Sequence, residues 1–224
     1  MSGLIRRMAP LLAARVATAA GTFGWTPFLV VHLLQQGYTP VAAASVLTVA
    51  TVTPGVAAPL AGYLSDRLPV HRMMVVTTLV AAGGLFALAL GARFHWVAYL
   101  AALLMGIASA VNSVSFRSAV PGLVAQRDLP QAYSLLHSGM NVGAVLGPGL
   151  VGLAAGREQY ALALLTAGAL FLLAAAVMLL TAGRWQTAAE GPDSGHGTPS
   201  APPQRPGHRS RLRHPWDSWW PTWL

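Results

Sequence analysis

The stretch GYLSDRLPVHRMM, residues 62–74, lies between two long apolar runs and places Asp66, Arg67, His71 and Arg72 in close succession. So charged a gap is informative because the chain around it is so apolar. Of its 224 residues, 54% are hydrophobic and 9% charged, whereas a soluble domain has about a quarter of its residues charged. The composition is that of a membrane protein, and the charged stretch is a connection between two spans.

Working outward from that connection, a helix needs about 20 mainly apolar residues to cross the hydrocarbon core. Six stretches qualify, at 9–34, 41–64, 73–92, 95–116, 132–155 and 160–182. The fold class expected is therefore all-α and polytopic. Proline and glycine inside the spans, such as Pro27, Pro54, Pro59, Gly106 and Pro148, are tolerated where neighbouring groups satisfy the freed backbone. Small residues let helices approach closely, so the run Ala42 to Ser45 and the pair Gly83 and Gly84 read as packing faces.

The net charge of +8 comes from arginine alone, since there is no lysine. The arginines flank the spans singly or in pairs, which argues for membrane topology and against a nucleic-acid partner. Cytoplasmic loops are enriched in them. With the N-terminus inside, Arg6, Arg7, Arg67, Arg72, Arg117, Arg127 and Arg184 fall on the cytoplasmic side, and Arg93 and Arg157 outside. Both termini are then cytoplasmic, in a cell (inner) membrane. Arg15, about two turns into the first span, is expected to snorkel to the interface.

Residues 1–184 thus form one transmembrane domain. Residues 185–224 are rich in proline, glycine, arginine and tryptophan and lack hydrophobic periodicity, which predicts a disordered tail. Trp216, Trp219, Trp220 and Trp223 suit a bilayer interface, and an out-of-frame product with no selected role explains the segment equally well.

The opening stretch resembles the signature loop between the second and third helices of the major facilitator superfamily, G-x-L-A-D-R-x-G-R-[KR]. Gly62, Leu64, Asp66 and Arg67 match, Ser65 replaces the alanine, and Arg72 follows the turn. Gly62 is read as permitting close helix approach, and Pro69 as barring continuation of the helix. The resemblance implies that Asp66 joins a charged cluster at the cytoplasmic helix ends, paired with Arg67 or Arg117, that biases the protein between inward-open and outward-open states. A second stretch, GMNVGAVLGPGLVGLAAG, is similar to the antiporter signature of the same superfamily. Gly143, Gly147, Pro148 and Gly152 match, with Val151 replacing a glycine. Glycines four apart share one helix face, and Pro148 removes a backbone donor and bends the helix. A weaker likeness to efflux members runs from Arg117 through Pro121, Arg127 and Asp128.

The resemblance implies six helices arranged as two inverted three-helix repeats, the N-terminal half of the usual twelve-helix fold. It also implies secondary export of small amphipathic molecules by alternating access. Thr22, Trp25, Asn112 and Asn141 are the candidate substrate path. No acidic residue lies in mid-span, so a carboxylate proton carrier is not expected. His32, His95 and His137 read as interfacial side chains. Without lysine no phosphate-binding loop is available, no Ser-His-Asp set assembles on one membrane side, and no enzyme activity, cofactor or metal is expected. The expected partners are membrane lipids, the substrate, and a second copy or separately encoded second half. The alternative is an inactive fragment or a non-transporting membrane scaffold.

Overall fold

Apolar runs in a bilayer must close their backbone hydrogen bonds within the segment, and the computed structural model shows them doing so as helices. It describes residues 2–156 and 158–181. The elements are α1 (Ser2–Gln35), α2 (Pro40–Val56), α3 (Ala58–Arg67), α4 (Val70–Gly91), α5 (His95–Ala119), α6 (Leu129–Ala155) and α7 (Tyr160–Leu180), with a 3-10 turn at Gln126–Asp128. Five helices are long and apolar enough to cross a membrane, and α2 with α3 makes a sixth, broken span. The expected tail at 185–224 lies outside the described residues.

That break corrects the expectation of one continuous helix over 41–64. The axes of α2 and α3 differ by 51°. Pro59, near the start of α3, has no N–H to donate to the Gly55 carbonyl, and its ring crowds that same carbonyl. Pro54 weakens the preceding turn. The ladder therefore ends at Ala57, whose N–H still reaches Thr53 O at 2.8 Å. At the other end of α3, Leu68 is extended and Pro69 precedes α4, so the charged stretch is the expected turn.

Helix pairing has an internal symmetry. α1 packs on α6 and α7, α5 packs on α2, α3 and α4, and α4 packs on α7. Exchanging the triplet α1, α2/α3, α4 with the triplet α5, α6, α7 turns the first set of pairings into the second and leaves α4 against α7. Two three-helix repeats arranged this way account for the fold.

Where lipid surrounds the bundle, hydrophobicity gives helices little reason to associate, and close packing through small residues takes its place. A Cβ added to Gly147 would collide with the Ala20 carbonyl oxygen, and one on Gly143 with the Val16 carbonyl oxygen and, at 2.6 Å, Ala19 Cβ. Gly24 on α1 faces back, with Val151 Cγ2 at 2.5 Å from the same construction. The counterpart interface repeats the device, since a Cβ on Gly106 of α5 would lie 2.5 Å from Thr53 Cβ of α2. Gly84 meets Met105, while Gly83 and Gly62 face open space. Gly62 is thus not the close-approach residue expected of it: helix contact in the first triplet is made by Ala43, Val46, Ala50 and Ala61, all buried.

The far end of the bundle is tied by side chains that satisfy carbonyls left orphaned at the end of α4. His32, buried rather than interfacial, donates Nε2–H to Leu88 O at 3.1 Å, and Tyr38 donates its hydroxyl to Ala92 O at 2.7 Å. Tyr38 also stacks on His95, centroids 4.3 Å apart. Burial first, then Tyr99, pushes the Tyr38 hydroxyl above its ordinary value, which keeps it a donor. Gly37, at φ +87°, supplies the left-handed turn that brings Tyr38 back toward the bundle.

Two stability outcomes follow. Gly147→Val should cost about 3 kcal/mol, the upper end for overpacking because the obstacle is backbone. Gly149→Val, whose added Cβ meets nothing within 4 Å, should leave the unfolding midpoint in detergent unchanged. Tyr38→Phe should cost about 1–3 kcal/mol by stranding a carbonyl, measured in the same way.

Candidate functional site

α1 and α5, the first helices of the two triplets, together with α2 border a cavity of about 410 Å³, within the range of small-molecule sites. Thr18, Thr22, Trp25 and Thr26 come from α1, Ala50 and Thr51 from α2, and Met105, Ser109 and Asn112 from α5. Met140 of α6 and Phe171 of α7 also line it. Of the four candidate path residues, Thr22, Trp25 and Asn112 are thus brought together. Asn141 is not: it is exposed on α6, because that helix turns Gly139, Gly143 and Gly147 toward α1 and carries Asn141 away from it.

The threonines form a ladder one turn apart, but their hydrogens are already committed. Thr18 donates to Arg15 O at 3.0 Å, Thr22 to Thr18 O at 2.8 Å and Thr26 to Thr22 O at 2.9 Å. They therefore offer the cavity acceptor lone pairs and methyl groups. Trp25 is buried in the core as well as lining the cavity.

Arg15 is the residue whose place differs most from expectation. It does not turn out to the interface. Its guanidinium carbon lies 5.0 Å from the centre of the Phe116 ring, and its Nη2 donates to Met140 Sδ at 2.9 Å. The side chain lines the cavity, and Nε is buried without a partner, as is Asn112 Oδ1. Phe116 and Met140 stand where the arginine could fold onto them, so packing replaces snorkelling. Arg15 itself is visible in the sequence, and its direction becomes legible only once α5 and α6 are in place.

The charged stretch sits at the bundle end where α1 and α4 begin and α3 and α5 finish. Asp66 is exposed and pairs with neither Arg67 nor Arg117. Arg67 instead lies over Tyr63, one turn back on its own helix, at 4.4 Å, and Arg117 lies within electrostatic range of Arg15. Among the described residues the ion pair is Arg127 with Asp128, at 3.8 Å on the surface. Leu64 and Arg72 line a second groove of about 440 Å³ between α3, α4 and α5, almost wholly apolar. Gly143 and Gly147 are buried against α1, and α6 runs unbroken through Pro148. Gly152 makes only ordinary contact with Phe28, at 3.5 Å from an added Cβ. Among the described residues no three histidine or acidic side chains converge on a metal-sized site.

Similarity to known proteins runs the same way. Monocarboxylate transporter 11 of Mus musculus is 31% identical over 160 residues, which cover 67% of this chain and 36% of that protein. The peptide transporter POT in complex with sulfate superposes with a TM-score of 0.70 at 19% identity, over 79% of this chain and 37% of that one. The POT family transporter PepTSo, in its in meso crystal structure, gives the same score and identity over 80% and 38%. The chain spans little more than a third of the length of these proteins, and at such identity the structural likeness speaks for the fold. The model of the Major Facilitator Superfamily matches residues 11–224. With its paired helix triplets and multi-pass apolar spans, the chain belongs to that superfamily.

Proposed function

We propose that the chain is the N-terminal six-span half of a secondary transporter that exports small amphipathic molecules by alternating access. The observation that carries this reading is the cavity between α1, α2 and α5. Its size suits a small molecule, its walls combine aromatic and aliphatic side chains with a few polar groups, and it lies at the interface of two three-helix repeats, where such proteins bind cargo.

The glycine contacts give the reading a mechanism. A smooth α1–α6 interface, free of interlocking side chains at Gly143 and Gly147, lets one helix shift on the other at low steric cost. Gly62, Leu64, Asp66, Arg67, Arg72 and Arg117 serve as the gate at one end, the cytoplasmic one on the arginine distribution. An Asp66 that is unpaired here is free to take an arginine in the opposite state, and such a difference between states is what shifts a two-state equilibrium.

The other half of the path comes from a second copy or a separately encoded chain. α6 carries a broad outward apolar face, with Val145 77% and Leu153 83% exposed, and Asn141 on the same helix is exposed. An amide facing lipid is costly, and a protein partner relieves it.

Asp66→Asn should lower transport in reconstituted vesicles about tenfold, the size of a modest coupling energy, with the unfolding midpoint unchanged. Unaltered transport would remove Asp66 from the gate. The chain contains no cysteine, so Asn141→Cys supplies a single thiol. Oxidative crosslinking in membranes should then trap a dimer, whereas Leu90→Cys, on an exposed part of α4, should not. A solely monomeric product would point to a separately encoded partner.

A further inference from the structure

We infer that the cargo is an anion and that Arg15 is its anchor: the cavity takes a small amphipathic molecule whose negative group seats on the Arg15 guanidinium and whose apolar body lies toward Trp25, Met105 and Phe171. This inference rests on the reading of that cavity as the substrate path.

The argument begins with cost. Arg15 lies about two turns into the apolar run of the first span, with its guanidinium over Phe116 in the last turn of α5. A charge within a membrane span is retained where it is paired or used. Among the described residues no carboxylate pairs with it. The acidic residues among those described are Asp66, Asp128 and Glu158, all at helix ends or in connections, and none lines the cavity. What does face Arg15 is weak compensation: the Phe116 ring from α5 and the Met140 thioether from α6, a polarisable surface rather than a counter-charge. Its Nε–H is left unmatched. The nearby charge of Arg117 has the same sign, so the local field attracts anions.

The rest of the lining narrows the chemistry. The hydroxyls of Thr18, Thr22 and Thr26 are spent on their own helix; Trp25, Ser109 and Ser113 carry neutral donors, and Arg15 is the charged one. Asn112 Oδ1 is a buried acceptor without a partner, suited to a hydroxyl or amide donor on the same molecule. The remaining wall is mainly apolar, interrupted by Thr51, Ser109 and Ser113. A neutral cargo would leave the guanidinium unpaired in a site of low dielectric, where such a group is most costly.

The test uses the full-length chain in lipid nanodiscs and equilibrium dialysis with radiolabelled phenylacetate and its neutral near-isostere phenylacetamide, at neutral pH. The wild type should bind the carboxylate at least about tenfold more tightly, the value of one charge-assisted hydrogen bond. Arg15→Gln should abolish that preference while leaving phenylacetamide binding within about twofold, and Arg15→Lys should retain part of it, since lysine keeps the charge and loses the planar fork. Equal affinity for acid and amide in the wild type overturns the inference without any variant and leaves the cavity standing as a binding site. A preference that survives Arg15→Gln likewise overturns it. Binding of neither probe overturns the inference together with the substrate-path reading beneath it.

Discussion

Backbone-to-backbone contact between α1 and α6 is the constraint on which the bundle depends. Gly143 and Gly147 bring the second helix of one triplet against the Val16–Ala20 segment of the first helix of the other, at a spacing no side chain permits. Arg15 precedes that segment directly, and Met140 lies one turn before Gly143. The contact that seats the two helices therefore also delivers the Arg15 guanidinium to the Met140 sulfur and turns the threonine ladder toward α5. Packing and site are consequences of one interface.

The same logic explains which parts could be read from the chain alone. Span number and glycine spacing are properties of single helices, so the six apolar runs, the turn at Pro69 and the packing face of α6 were legible. Errors arose where two elements had to be known together. The run from 41 to 64 reads as one span because hydropathy is blind to the ladder break between Gly55 and Pro59. Asn112 and Asn141 look equivalent as mid-span amides, and only the direction of the neighbouring glycines separates the buried one from the exposed one. Gly62 fits a family pattern, yet no helix approaches it. His32 was assigned to the interface because it ends a span, whereas the orphan carbonyl of Leu88 draws it inward.

Stability at the two ends of the bundle has different origins. Around Tyr38 and His32, polar side chains complete the end of α4, and the ring stack with His95 fixes the connection. Around Asp66 the ties are weaker: the aspartate is exposed, Arg67 rests on Tyr63, and Tyr133 reaches Arg117 O at 3.4 Å on the surface. An end held by buried hydrogen bonds resists rearrangement, while an end whose Asp66 is exposed and unpaired has alternatives of similar energy. On the proposed reading, the moving part lies at the charged end.

On the proposed reading, charge links gate to cavity. α1 begins and α5 ends on the same side of the bundle, so Arg15 and Arg117 share the end that carries Asp66, Arg67 and Arg72. Interactions between charges strengthen where water is excluded, and Arg15 lies within electrostatic range of Arg117. On the proposed reading, an anion seated on Arg15 lowers the positive potential that would otherwise draw the Asp66 carboxylate toward Arg117. Cargo and gate carboxylate thus compete for the same positive end, and by linkage each weakens the hold of the other. A loaded cavity favours a released gate, and a closed gate favours an empty cavity, which is the coupling that alternating access requires.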